Sequence, residues 1–227
     1  MVEVARRNEF DANTRLLYLG KGSRMIIHDC IQGSTQWMAL RAGIPTASEF
    51  HRLVSPTLKI RTGDGPHTYM CEKLAEKWTG MPLPQTGGFG ALEQGTLLET
   101  EAKPFYSLTT GRDIQDVGFI TTDDGRIGCS PDGMFDDNSG IEIKCACAHT
   151  HVGYLLGGVV PETYLLQVHG AMFVTGATQW NFFSYRRGFP PLHVIVKRDE
   201  AIQKVLKTAL DLFLESFDAA LKKLKGE

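Results

Sequence analysis

Ser130-Pro131-Asp132-Gly133 and, after a short connection, Ile141-Glu142-Ile143-Lys144 form the stretch on which the reading of this chain turns. The Asp-Gly pair signals a turn, and the second tetrad alternates apolar and charged residues with the two-residue period of a strand. Successive strand side chains point to opposite faces, so Ile141 and Ile143 enter the core while Glu142 and Lys144 project together from the other face. A turn ahead of the strand brings Asp132 beside them. Two carboxylates and a lysine so gathered suit one chemistry well. Hard oxygen ligands hold Mg²⁺, which activates a water and neutralises charge on a phosphoryl group, while the lysine orients or helps deprotonate that water. The Ile143 carbonyl, between Glu142 and Lys144, could complete the metal shell. An ordinary hairpin with a solvated charged face has the same local pattern, so the rest of the chain must decide.

Further strands are expected at 117–121 and 126–130, joined by an Asp124-Gly125 hairpin turn, and the Glu142 strand at 141–145. Before them, helices are expected at 35–40, from the Thr46–Glu49 capping-box spacing, and at 67–78 and 92–108. A helix at 162–174 and strands at 180–185 and 192–196 follow. Ile202, Val205, Leu206, Ala209, Phe213, Phe217, Leu221 and Leu224 recur at three- and four-residue steps, which gives a terminal amphipathic helix. The whole predicts an α/β (α+β) domain, a central mixed β-sheet flanked by helices. Residues 25–227 read as a single domain. Residues 1–24 read as an N-terminal extension, flexible or artificial in origin, with Met25 an alternative start.

Apolar residues make up 42% of the 227 and charged residues 22%, an ordinary balance for a globular enzyme. No apolar run approaches the roughly eighteen residues that would span a bilayer, so no membrane role is expected. The formal net charge is −2, so any nucleic-acid contact must come from a local basic surface. Arg186-Arg187, Lys59 and Arg61 are candidates for it. Five scattered cysteines and no apolar leader in residues 1–24 point to a reduced, cytoplasmic setting. Cys145-Ala-Cys147-Ala-His149-Thr-His151 lacks the usual zinc spacing and a second ligand pair, so buried cysteines are the simpler reading. Trp78 and Phe89 are expected in the core.

Four blocks lie in a fixed order: Trp37-Met38-Ala39-Leu40-Arg41-Ala42-Gly43-Ile44-Pro45-Thr46-Ala47-Ser48-Glu49, Gly95-Thr96-Leu97-Leu98-Glu99, the Asp132/Glu142/Lys144 stretch, and Tyr164-Leu165-Leu166-Gln167-Val168. With them the sequence resembles the phage lambda exonuclease group of viral-recombinase-type enzymes, within the PD-(D/E)xK nuclease superfamily. The resemblance implies a restriction-endonuclease-like core with Asp132 and Glu142 as metal-binding carboxylates and Lys144 as the catalytic lysine. It implies Glu99 as a further acid at the metal, and Arg41, Ser48, Ser130 and Gln167 as a pocket for a 5′-phosphate. Trp37, one helical turn before Arg41, is then a candidate contact at the DNA end. The implied enzyme is a Mg²⁺-dependent (Mn²⁺ as substitute) 5′→3′ exonuclease on double-stranded DNA ends. It would be a ring-shaped homotrimer serving a single-strand annealing protein in phage DNA recombination. A restriction-type endonuclease and a non-catalytic DNA-end binding adaptor are the alternatives. One departure stands out: many superfamily members carry Tyr four residues after the Gln, where this chain has Ala171.

Overall fold

The computed structural model describes residues 14–19, 23–83 and 89–227; side chains are described for Thr14, from Met25 to Leu83, for Leu98, and from Thr100 onward. Thr14–Leu19 (β1) and Ser23–His28 (β2) pair antiparallel. β2 pairs with Phe119–Thr122 (β3), and β3 with Gly128–Cys129 (β4), again antiparallel. Gly133–Met134 (β5), Gly140–Lys144 (β6), Gln179–Ser184 (β7) and Leu192–Lys197 (β8) make a second sheet in that order, with β6 and β7 parallel and the outer pairs antiparallel. The expected mixed architecture is therefore present, its strands divided between two four-stranded sheets. The division falls at Ser130-Pro131-Asp132, between β4 and β5. Pro131 has no N–H to give a ladder, so pairing is interrupted there.

Helices cover the sheets: Thr35–Arg41 (α1), Asp64–Thr79 (α2), Phe89–Thr110 (α3), Ala148–Gly157 (α4), Glu162–Thr175 (α5) and Glu200–Lys225 (α6). A 3₁₀ turn, Ala47–Arg52, stands where the capping-box spacing predicted a helix. Thr46 is its N-cap by position but makes no side-chain capping bond. The parallel pairing of β6 and β7 requires a long crossover, and α4 and α5 supply it.

The β1–β2 hairpin, the short strand β5 and helix α4 have no counterpart in the sequence reading. The β1–β2 hairpin reaches into the stretch expected as an extension, and the expected boundary after residue 24 falls inside β2. Residues 1–13 lie outside the described residues. Helix α4 escapes notice because its sequence, AHTHVGYLLG, has glycines inside it and no clear apolar stripe. Trp78 is also corrected: it is 62% exposed at the end of α2 rather than buried. The side chain of Phe89 lies outside the described residues. The α6 stripe holds as far as Leu221, but Leu224 is 57% exposed because the helix outruns the core it packs on.

The faces of β6 and β7 bury different clusters. Ile141 and Ile143 pack with Phe183, Tyr185 and the α3 residues Ala102 and Tyr106. Trp180 and Phe182 belong to the larger cluster, with Phe50, Tyr69, Met172 and Phe213. Glu142 is paired in register with Phe182 and Lys144 with Ser184, so the charged residues of β6 face α5.

Helix α5 approaches the 3₁₀ turn closely at Gly170. A Cβ there would lie 2.6 Å from the Phe50 ring and 3.0 Å from the Ala47 Cβ. Phe50 is fully buried and cannot swing aside. This close approach holds Gln167, one turn earlier on α5, beside the segment that carries Ser48. Gly170→Ala should therefore lower the urea midpoint: overpacking costs about 1–3 kcal/mol, against a helix-propensity gain of about 1 kcal/mol. A midpoint equal to or above that of the parent would refute the close packing.

Candidate active site

β6 carries a buried carboxylate at its middle residue. Glu142 is 4% exposed, and its Oε1 accepts from the Lys144 ammonium at 2.6 Å and from the Gln167 amide at 2.5 Å. Asp132 brackets the same residue from the strand turn. Its N–H donates to the Ile141 carbonyl at 3.2 Å, and its Oδ2 accepts from the Ile143 N–H at 2.5 Å. Asp132, Glu142 and Lys144 thus come together as the alternation of β6 predicted. Burial raises the Asp132 pKa, opposed by the Ile143 N–H and by the charges of Lys144 and Lys103. Burial works to lower the Lys144 pKa, but Glu142 and Asp132 more than offset it, so the ammonium is held charged. Tyr164, three residues before Gln167 on the same face of α5, places its ring 4.9 Å from the Lys144 nitrogen. The sequence reading did not single Tyr164 out for this contact, although its helical spacing from Gln167 was visible.

The second cluster is built from α1 and the β4–β5 link. Ser34 caps α1 by accepting from the Trp37 N–H at 3.2 Å. Trp37 and Arg41 stand one turn apart, and the Arg41 guanidinium lies 4.2 Å from the Trp37 ring centroid. Both donate to Ser130 Oγ, Arg41 Nη1 at 2.8 Å and Trp37 Nε1 at 3.0 Å. Burial lowers the Arg41 pKa, opposed by the charges of Tyr69, Cys129, Glu49 and Glu76. Among the described residues no carboxylate forms an ion pair with Arg41. The exit from α1 is fixed at Gly43 (φ +76°), where any Cβ would strike the Lys77 backbone and the Gly43 N–H donates to buried Glu76 at 3.0 Å. Gln32 fixes the other side by donating to the Pro131 carbonyl at 2.7 Å.

Arg41, Ser48, Ser130, Gln167 and Glu142 line one small recess, completed by Ala47, Cys129, Pro131 and Ala171. The four residues expected at a phosphate are therefore neighbours, although they come from α1, the 3₁₀ turn, the β4–β5 link and α5. Ala171, the departure from the superfamily pattern, contributes a small apolar wall. Glu99 lies on α3, but its side chain is outside the described residues. Among the described residues no three His, Cys, Asp or Glu side chains gather at one point. Asp132 and Glu142 offer hard oxygens suited to Mg²⁺, and such a site would need the Ile143 carbonyl or Glu99 beside them.

The remaining candidates stand elsewhere. Arg61 is exposed and donates to the His51 carbonyl at 2.9 Å, while Arg187 pairs with Glu101 on α3. Cys147 and His149 are exposed at the start of α4. His151 is buried, its ring nitrogens 2.7 Å from Ser184 Oγ and 2.9 Å from the Pro190 carbonyl, so it ties α4 to β7 and the turn beyond.

A family model for the YqaJ-like viral recombinase domain matches residues 36–178. The chain belongs to this family. Its fold matches crystal structures of the alkaline exonuclease LHK-Exo from Laribacter hongkongensis. The form in complex with dAMP superposes with a TM-score of 0.75 at 28% identity, over 85% of this chain and 96% of that one. A second structure of the same exonuclease, with a TM-score of 0.74, has the same identity and coverage. A phage-related exonuclease from Haemophilus somnus 129PT shares the fold with a TM-score of 0.60 at 15% identity, over 80% of this chain and 96% of that one. No curated protein matches the sequence. Relatives of the alkaline exonuclease kind indicate a nuclease.

The Glu142–Lys144 pair has a consequence for stability. Removing the cation from a buried pair leaves an uncompensated charge, which costs about 3–5 kcal/mol. With chelator present, Lys144→Ala should destabilise the protein by about that amount, and Glu142→Gln in the same chain should recover most of the loss. Equal melting of Lys144→Ala and the parent would show that Lys144 does not offset the Glu142 charge.

Proposed function

We propose that this chain is a Mg²⁺-dependent exonuclease that degrades one strand of duplex DNA, 5′→3′, from a 5′-phosphorylated end. The reading rests on one observation: the recess lined by Arg41, Ser48, Ser130 and Gln167 shares a wall, Glu142, with the Asp132/Lys144 cluster. A guanidinium with hydroxyl and amide donors suits a terminal phosphate. A strand end seated there puts its first internucleotide bond next to the carboxylates, so cleavage counts from the end. A separate endonucleolytic groove would not need this shared wall.

The divalent ion, held by Asp132 and Glu142 with the Ile143 carbonyl and Glu99, would supply Lewis-acid activation of water and of the phosphoryl oxygens. Lys144 orients the attacking water and offsets the carboxylate charge that would otherwise repel the backbone phosphate. Gln167 holds Glu142 in place through its amide, and Arg41 and Ser130 hold the terminal phosphate. Products are mononucleotides and a 3′ single-stranded overhang. That overhang suits a single-strand annealing protein as the recombination partner, and a closed homotrimer around the duplex would make digestion processive. The single nuclease domain expected over residues 25–227 takes in the β1–β2 hairpin in this reading, and it works in the cytoplasm of a bacterial or phage-infected cell.

Digestion of linear duplex carrying 5′-phosphate or 5′-hydroxyl ends, beside a covalently closed circle, tests the reading. Mg²⁺ should support rapid loss of the phosphorylated strand with the circle intact, and Asp132→Asn should abolish it. Cutting of the circle would make the protein an endonuclease, and binding without cleavage under any divalent ion would make it an adaptor. Arg41→Ala should remove most of the preference for the phosphorylated end. An unchanged ratio of the two rates would take Arg41 out of the recess chemistry.

A further inference from the structure

The hydrogen-bond pattern at Ser130 assigns Trp37 a task that the sequence reading did not. An indole N–H only donates, and a guanidinium has no acceptor. Because Trp37 Nε1 and Arg41 Nη1 both point at Ser130 Oγ, at 3.0 and 2.8 Å, that oxygen accepts twice. Its two lone pairs are then used, and its single proton can be directed at neither neighbour. Ser130 lines the recess, so the proton is left for whatever occupies it. We infer that Trp37 is a positioning residue that locks the Ser130 hydroxyl as a donor into the recess, making the recess selective for an acceptor-only anion such as a terminal phosphate. This rests on the function proposed above.

A 5′-hydroxyl oxygen can accept from this donor as well, but an anionic phosphate oxygen accepts a charge-assisted bond roughly twice as strong. The lock therefore favours the phosphate by keeping the Ser130 proton always presented to it. One face of the Trp37 ring already carries Arg41 at 4.2 Å, its indole N–H is engaged by Ser130, and its backbone N–H is held by the Ser34 cap. Trp37 thus stiffens both phosphate ligands: it carries the guanidinium on its face and fixes the serine with its edge.

Trp37→Phe keeps an aromatic face for Arg41 and removes the N–H. We would compare kcat/KM for 5′-phosphorylated and 5′-hydroxyl duplex in the parent, Trp37→Phe, Ser130→Ala and the double variant. Loss of a hydrogen bond that organises an anion site corresponds to about tenfold. Trp37→Phe should lower the phosphate-to-hydroxyl ratio by about that factor, chiefly through KM for the phosphorylated end. Added to Ser130→Ala it should lower the ratio no further, because it acts through that serine. Where the parent prefers the phosphorylated end, an unchanged ratio in Trp37→Phe would overturn the inference. So would an equal further drop in the Ser130→Ala background, which would make Trp37 a direct DNA contact. Protection against thermal unfolding by inorganic phosphate supplies a readout independent of cleavage. The parent should gain stability and Trp37→Phe should gain distinctly less, whereas equal protection would overturn the lock. If the parent cleaves both ends alike yet is protected by phosphate in a Trp37-dependent way, the lock stands and the end-directed reading falls.

Discussion

The buried carboxylate of Glu142 is the constraint around which the rest is arranged. At 4% exposure it requires compensation, and it receives it from the Lys144 ammonium at 2.6 Å and the Gln167 amide at 2.5 Å. Each partner recruits a different part of the fold. Lys144 comes from the same strand by its alternation. Gln167 comes from the crossover helix α5, which must therefore lie on that face of the sheet. Gly170 lets α5 settle against the 3₁₀ turn, and the turn carries Ser48 to the same recess. A charge that is costly to bury thus fixes the relative placement of a strand, a helix and a turn.

The interruption at Pro131 has a comparable role. Strands β4 and β5 flank it in different sheets, and the residues on either side of the proline serve different clusters. Ser130 takes part in the Trp37–Arg41 group, and Asp132 brackets Glu142. One broken ladder thereby joins the recess lined by Arg41 and Ser130 to the carboxylate cluster. The chain belongs to the YqaJ-like viral recombinase family and shares the fold of an alkaline exonuclease.

Electrostatics sets the division of labour within the site. The carboxylates of Asp132 and Glu142 would repel a nucleic-acid backbone from a protein whose formal net charge is already −2. Lys144 and Arg41 oppose that repulsion locally, from opposite sides of the shared wall. Arg41 is stacked on an aromatic ring and bonded to a neutral serine rather than neutralised by an acid. Its charge therefore remains directed at the recess.

The sequence by itself determined what is local and periodic. The alternation of Ile141-Glu142-Ile143-Lys144 settled which side chains share a face, because strand geometry leaves no other choice, whereas the burial of Glu142 came from packing. The Asp124-Gly125 turn, the helix from Glu162 and most of α6 were legible for the same reason. The hairpin β1–β2 and helix α4 were not, since neither carries a strong period and both owe their stability to what they pack on. Only the tertiary structure decided that Trp37 and Arg41 both donate to Ser130, some ninety residues away. It also decided that Gln167 spends an amide on Glu142 and that Trp78 faces solvent. Hydrogen-bond partners distant in the chain are chosen by how layers pack. Packing depends on the shapes of all the side chains together, which no local pattern contains.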